Sequence, residues 1–274
     1  MSKLSELQGL LRLHGLWAKK SFGQNFLVDE AALERIVEAA DLHSSDTVVE
    51  VGPGTGFLTE HLIKKAKRVI AVEFDADMVE VMKRRFKGVK NLEIIHSDIL
   101  NWQIPDQVRD DKKGYKVVAN IPYYITSPLI KHFLQSDCRP SEMVILVQKE
   151  VAEKIVGKTG KSVITIETQV FGKPEVVAIV KAASFYPAPK VDSAILKIDV
   201  YKKPLVSEKK LKDFFRLVHQ GYNQKRKKLR NTLAAAWHVE PVEAEARIKK
   251  ACLDPNLRPE DVEIRDWMKL IDKN

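Results

Sequence analysis

The sequence predicts an α/β domain built on a mixed, mainly parallel sheet, followed by a small all-α domain. Three observations carry this. Between residues 46 and 200, short β-branched runs alternate with helical patterns, the signature of strand–helix–strand units. Those runs are apolar without alternation, as expected of parallel strands covered on both faces. Beyond Lys202-Lys203-Pro204 the pattern is helical to the end. At 274 residues, 45% hydrophobic and 30% charged, the chain can bury a sizeable core and a smaller second one, and this excludes a disordered protein.

The elements follow in order. Leu4, Leu7, Leu10, Leu11 and Leu13, interrupted by Glu6 and Arg12, predict a short amphipathic helix rather than a signal peptide. Strands are expected at 47–51 (TVVEV), 68–73 (RVIAVE), 92–96 (LEIIH), 115–120 (YKVVAN) and 143–147 (MVILV). Helices are expected at 57–65 and 76–86. In the second, Met78, Val81, Met82 and Phe86 recur at helical spacing and read as core. The polar stretch 106–114 (DQVRDDKKG) reads as a surface loop. Runs 162–171, 175–181 and 193–200 lack long helices between them and read as antiparallel strands added at one edge. The domain boundary is placed near residue 203, giving domains 1–203 and 204–274.

Lysine and arginine number 46 against 37 aspartate and glutamate, a net charge of +9. Such a balance points to a polyanionic partner. No run reaches the ~18 apolar residues of a membrane span. Cys138 and Cys252 form no disulfide framework, no Cys-x-x-Cys is present, and the seven histidines lack ligand spacing. The expectation is a cytoplasmic protein with reduced thiols and no metal.

The chemistry gathers at the strand ends. The first strand runs into Gly52-Pro53-Gly54-Thr55-Gly56, a turn that lets backbone approach a ligand. The second ends in Glu73, placed to accept hydrogen bonds from ribose hydroxyls. The third ends in His96-Ser97-Asp98-Ile99. Asp98 there can take an adenine amino group, or cap a helix, and Ile99 can flank the ring. Together these residues describe a nucleoside-containing cofactor. They do not separate a dinucleotide, as in a dehydrogenase, from S-adenosylmethionine. No lysine follows the glycines in Walker fashion, which disfavours an ATPase.

The fourth strand delivers Asn120-Ile121-Pro122-Tyr123 to the same rim. The N6 lone pair of adenine is delocalised into the ring, so that amine is a poor nucleophile. Two acceptors aimed at its N–H bonds favour the tetrahedral geometry that localises the pair. The Asn120 side-chain oxygen and the Ile121 carbonyl can supply them. Pro122 stiffens the turn and biases Ile121 toward extended backbone. Tyr123 offers a face for stacking the base, which must leave its helix or loop to enter. The motif requires alignment and electrostatics rather than a strong general base.

At these residues the sequence resembles the ribosomal RNA adenine N6,N6-dimethyltransferases, in particular the bacterial small-subunit type, over nearly the whole chain. Residues 20–29 (KSFGQNFLVD) are similar to the family's N-terminal cofactor segment, which implies that Asn25 and Leu27 contact S-adenosylmethionine. The resemblance implies a class I, Rossmann-like methyltransferase domain. It places Gly52 by the methionine part of the cofactor, Glu73 on the ribose, Asp98 on the adenine and Asn120 at the amine. Residues 185–191 (FYPAPKV) resemble a late motif, implying Phe185 as a second wall around the target base, opposite Tyr123. Tyr124 receives no role.

No acid stands between Asp213 and Glu240. The run 221–233 (GYNQKRKKLRNTL) reads as a loop leading into a basic helix, with Lys225, Arg226, Lys227, Lys228 and Arg230 as phosphate contacts. The expected activity is dimethylation of two adjacent adenosines near the 3′ end of small-subunit ribosomal RNA. The expected substrate is an immature small subunit, and a monomer is expected. Two alternatives stand beside it. One is a large-subunit adenine methyltransferase of the macrolide-resistance type. The other is a catalytically silent RNA-binding assembly or transcription factor.

Overall fold

The computed structural model describes residues 2–19, 23–105, 108, 114–224 and 226–271. The insert at 106–114 falls almost wholly outside them. The chain divides into two compact units, Met1–Ala152 with Lys173–Val200, and Glu153–Gly172 with Tyr201–Asn274.

The first unit begins with α1 (Lys3–Leu13), β1 (Phe26–Leu27) and α2 (Glu30–Ala39). Leu7 and Leu11 form the buried stripe of α1. Ser2 caps α1 by accepting from the Ser5 amide, and Asp29 caps α2 through the Ala32 amide. Then come β2 (Thr47–Val51), α3 (Phe57–Lys65), β3 (Arg68–Glu73), α4 (Ala76–Arg85), β4 (Leu92–His96), β5 (Tyr115–Asn120), α5 (Thr126–Leu134), β6 (Glu142–Gln148) and α6 (Lys149–Ile155). After α7 (Val163–Gln169) the chain adds β7 (Gly172–Val180), β8 (Phe185–Tyr186) and β9 (Ser193–Val200).

The seven-stranded sheet has the order β4-β3-β2-β5-β6-β9-β7. Strands β2 to β6 pair in parallel, and β9 pairs antiparallel with β6. A separate antiparallel pair joins β1 to β8, with Leu27 opposite Phe185. The central strands are buried on both faces: Val48, Val49, Val117, Val118, Met143 and Val144 are fully excluded from water. Strand β4, at the edge, is only half-buried. The chain leaves β2 outward through β3 to β4, then returns to the other side of β2 as β5. That reversal opens a crevice at the carboxyl ends of β2 and β5, where α/β sheets bind ligands.

Helix α3 starts directly after Gly56, which has φ +84°. A Cβ at Gly56 would lie 2.4 Å from a Phe86 ring carbon and 2.6 Å from the Met82 sulfur. Gly56→Ala is expected to destabilise the protein by about 3 kcal/mol, adding left-handed strain to overpacking. Urea unfolding reads this as a lower midpoint at unchanged slope.

The second unit holds α7 with α8 (Glu208–Tyr222), α9 (Leu229–Trp237), α10 (Pro241–Lys250) and α11 (Ile264–Ile271). Trp267 is its fully buried centre and stacks on Tyr222 at 6.1 Å. Gly221 leaves room for that indole: a Cβ there would sit 2.4 Å from the ring.

One expected strand is corrected. Residues 163–169 are helical, not extended. The β-branched run Val163-Ile164-Thr165-Ile166 suggested a strand, but local bonds and packing override that propensity. Thr165 Oγ1 accepts from the Ser162 amide at 3.0 Å and donates to the Lys154 carbonyl at 2.6 Å. Glu167 then pairs with His219 of α8 at 2.9 Å.

Candidate active site

The crevice is a single cavity lined by the loops after β2, β3, β4 and β5 and by the segment around β1. It gathers Asn25, Leu27, Gly52, Gly54, Glu73, Asp98, Ile99, Asn120, Ile121 and Pro122 from the sequence reading. The glycine loop approaches both neighbours closely. A Cβ at Gly54 would stand 3.2 Å from the Phe26 ring, and one at Gly52 would stand 3.5 Å from the Ile121 side chain.

Glu73 closes β3 and is 7% exposed. Its two oxygens accept from the Gly54 amide at 3.0 Å and the Asp75 amide at 2.8 Å. Burial raises its carboxyl above the ordinary value, while those amide bonds oppose the rise. A carboxylate can accept about four hydrogen bonds, so lone pairs remain for a ligand diol. Asp98 is half-buried and works locally as well: it accepts from the Leu100 amide at 2.9 Å and from the Asn101 carboxamide at 3.0 Å. It therefore serves as a turn cap as well as a wall of the cavity.

Beneath the loop, Glu50 on β2 was not foreseen. It is 1% exposed, lines the cavity, and accepts from the Thr59 hydroxyl at 2.6 Å through Oε2. Its Oε1 is buried without a hydrogen-bond partner among the described residues. Burial pushes its carboxyl up to about 8; the Thr59 bond opposes this and the Glu73 charge adds to it. One charged residue inside TVVEV was the available signal, because acids are almost never fully buried without a reason.

A strap of ion pairs and hydrogen bonds ties the segment before β1 to the start of α4. Lys19 Nζ lies 2.7 Å from both Asp75 and Asp77, and Gln24 donates to Asp75 at 2.9 Å. Gln24 also accepts from the Lys19 amide at 2.9 Å. Burial lowers the lysine pKa, but the two carboxylates outweigh it and the net shift is upward. These contacts hold Asn25 and Leu27 over the glycine loop. Residues so distant in sequence carry no local signal of pairing. Lys20, Ser21 and Phe22 of the expected cofactor segment lie outside the described residues.

Asn120 ends β5 on the cavity rim, half-buried. Among the described residues no hydrogen bond holds its carboxamide, so its oxygen and its amino group keep their hydrogen-bonding capacity. Pro122 (φ −55°, ψ 135°) carries the chain into a 3-10 turn over Tyr123–Ile125. The Tyr123 hydroxyl bonds Ser193 Oγ at 2.6 Å, and its ring is not in the cavity wall. Tyr124 is in that wall and is 67% exposed.

The late motif lies partly in the core. Phe185 is 4% exposed and packs in the core with Phe26, Leu27 and Leu33. It pairs opposite Leu27 in the short sheet. Tyr186, at 38%, is the exposed ring of this strand.

In the second unit the basic run is split. Arg226, Lys227 and Lys228 are exposed. Arg230 is instead tied to Glu245 at 2.9 Å, and Lys228 donates to Asn256 at 3.0 Å. Arg230 thus joins α9 to α10. Arg226 and Lys227 have no ion pair among the described residues, and Lys225 lies outside them.

Does a nucleoside with a methionine tail fit? The lone pairs of Glu73 and the unspent Asn120 carboxamide belong to residues lining one cavity with apolar walls at Leu27 and Ile99. Acceptors at the loop and a polar–apolar cradle suit S-adenosylmethionine, and the protein is a class I, Rossmann-like methyltransferase that uses it. A family model described as "Ribosomal RNA adenine dimethylase" matches residues 15–273, and the chain belongs to that family. A Dehalococcoides mccartyi protein named "Ribosomal RNA small subunit methyltransferase A" is 40% identical over 98% of this chain and 92% of its own. A Clostridium botulinum protein of the same name is 36% identical over 92% of each. Among solved structures, a dimethyladenosine transferase from Plasmodium falciparum superposes with TM-score 0.75 at 29% identity, covering 89% of this chain and 95% of that one. The 23S rRNA methyltransferase ErmE gives 0.73 at 27% identity, covering 91% and 99%.

Proposed function

We propose that this protein dimethylates N6 of two adjacent adenosines near the 3′ end of small-subunit ribosomal RNA. Its substrate is an immature small ribosomal subunit, and it acts as a cytoplasmic monomer. The observation that carries the reading is the Asn120 carboxamide, unpartnered among the described residues, on the rim of the cofactor cavity. The names of the curated relatives favour the small subunit.

When bound, S-adenosylmethionine supplies an electrophilic methyl group. Glu73 receives the ribose hydroxyls, Asp98 and Ile99 flank the adenine, and Gly52 and Gly54 give backbone access. Asn25 and Leu27, held by the Lys19–Asp75 strap, cover the site. The Asn120 oxygen and the Ile121 carbonyl accept the two N–H bonds of the target amine and localise its lone pair. Alkylation makes the amine acidic, so its proton leaves to solvent without a dedicated base. Arg226 and Lys227 contact phosphates and set position without reading sequence.

The test is transfer of labelled methyl groups to isolated small subunits lacking the modification, followed by mass spectrometry of the RNA. Dimethyladenosine at two neighbouring positions is the expected result. Label in large-subunit RNA instead would favour the macrolide-resistance type, and RNA binding with no transfer would favour the assembly-factor reading. Arg226→Gln with Lys227→Gln is expected to weaken subunit binding and to flatten its salt dependence by roughly 1–2 in the slope of log K against log salt. An unchanged slope would make this run a solvated face.

A further inference from the structure

We infer that the end of the sheet opposite the catalytic rim is a second RNA-contact surface, which takes backbone phosphates of the substrate subunit away from the target adenosines. The inference extends the function proposed above and rests on it. Around the amino-terminal ends of β3 and β4, Lys64, Lys65, Lys67, Arg84, Lys87 and Lys90 are all exposed. None of them has an ion pair among the described residues. The two turns that carry the lysines are laced together. Asn91 Nδ2 donates to the Ile63 carbonyl at 2.9 Å and to the Ala66 carbonyl at 3.2 Å. The Asn91 carbonyl accepts from the Val69 amide at 2.8 Å. The turn bearing Lys87 and Lys90 therefore lies against the turn bearing Lys64, Lys65 and Lys67.

The acids of the same elements are engaged elsewhere. Glu60 of α3 pairs with Lys3 at 3.1 Å and with Arg85 at 3.0 Å. On α4, Asp77 holds Lys19 at 2.7 Å and Glu80 holds Lys83 at 3.1 Å. Glu93 of β4 holds Arg68 at 2.6 Å, and Glu73 is buried at the rim. Helix dipoles explain only part of the pattern. Lys64, Lys65 and Arg84 lie in last turns, where cations offset the free carbonyls. Lys67, Lys87 and Lys90 lie beyond the helices, where that effect fades. Clustered, unmatched cations on a chain of net charge +9 suit a polyanion. Strand β3 has six residues, so this end stands roughly 20 Å from Glu73 on the rim. An adenosine at the catalytic site does not extend that far, but a folded ribosomal RNA does. Contacts there set affinity and position without reading sequence.

The experiment compares wild type with a quadruple variant, Lys64→Gln, Lys67→Gln, Lys87→Gln and Lys90→Gln, and with the corresponding quadruple arginine variant. Neutralisation is expected to raise KM for small subunits roughly 10- to 100-fold and to flatten the slope of log K against log salt by roughly 2–4. Both kcat at saturating subunits and S-adenosylmethionine affinity should stay at wild-type values, and the arginine variant should match wild type throughout. A second measurement locates the partner. Lys90→Cys, in a Cys138→Ser, Cys252→Ser background, carries a tethered iron chelate and should cleave small-subunit RNA away from the target adenosines. Unchanged KM and salt slope in the glutamine variant would overturn the proposal and leave a solvated face. So would a parallel fall in kcat and cofactor affinity, which would make these residues structural, or an arginine variant as defective as glutamine. Weakened binding without RNA cleavage would also overturn it, because the face would then meet an acidic protein. Failure of the underlying function shows separately, as wild type that transfers no methyl to small-subunit adenosines.

Discussion

Asn120→Ala is expected to lower kcat on the order of 10²–10³-fold while leaving S-adenosylmethionine affinity within about twofold. The reasoning starts from the position of the side chain. It caps the carboxyl end of β5 beside the central β2 and keeps its hydrogen-bonding capacity unspent among the described residues. An acceptor that engages the amine strengthens as the nitrogen becomes tetrahedral, so its loss falls on the transition state rather than on the ground state. Removal should therefore appear in kcat more than in KM. The cofactor has other holds, Glu73 and the glycine loop among them, and should bind almost as before. Asn120→Asp keeps an oxygen acceptor and should recover part of the rate. Single-turnover methyl transfer on small subunits, with cofactor binding measured in parallel, checks both. Wild-type turnover in Asn120→Ala would sink the amine-activating role.

The parts of this site that were legible in the sequence are those written in local grammar. Apolar β-branched runs gave the strands of the parallel sheet, and the residues at their carboxyl ends had to share one rim whatever the loops did. Hence Gly52, Glu73, Asp98 and Asn120 meet in one cavity. What escaped depends on contacts between distant residues. Lys19 finds Asp75 and Asp77, and Arg230 finds Glu245, through the fold alone. The pairing of Phe185 with Leu27 is likewise one that no periodicity reveals. The helix at 163–169 shows the opposite failure: its residue types prefer extended backbone, but the Thr165 and Glu167 contacts choose a helix.

Glu50 supplies a second large effect, on stability rather than on rate. Its carboxyl is lifted from 4.5 to about 8, chiefly by burial, with Thr59 opposing and Glu73 adding. In the unfolded chain it titrates near its ordinary value. Between those two pH values the native state holds a proton that the unfolded state has released. Stability from this group is therefore complete below about pH 4.5 and falls as pH rises toward 8, by about 1 kcal/mol per pH unit and about 4 kcal/mol across the window. Glu50→Gln keeps an oxygen for the Thr59 hydroxyl but cannot ionise. Urea unfolding at pH 5, 6.5 and 8 should find the two proteins similar at pH 5 and the glutamine variant increasingly more stable above it. Other titrating groups are common to both chains and cancel in the difference. Parallel curves would mean that the carboxyl ionises in the fold as easily as in water, and that water reaches the orphaned oxygen beneath the glycine loop.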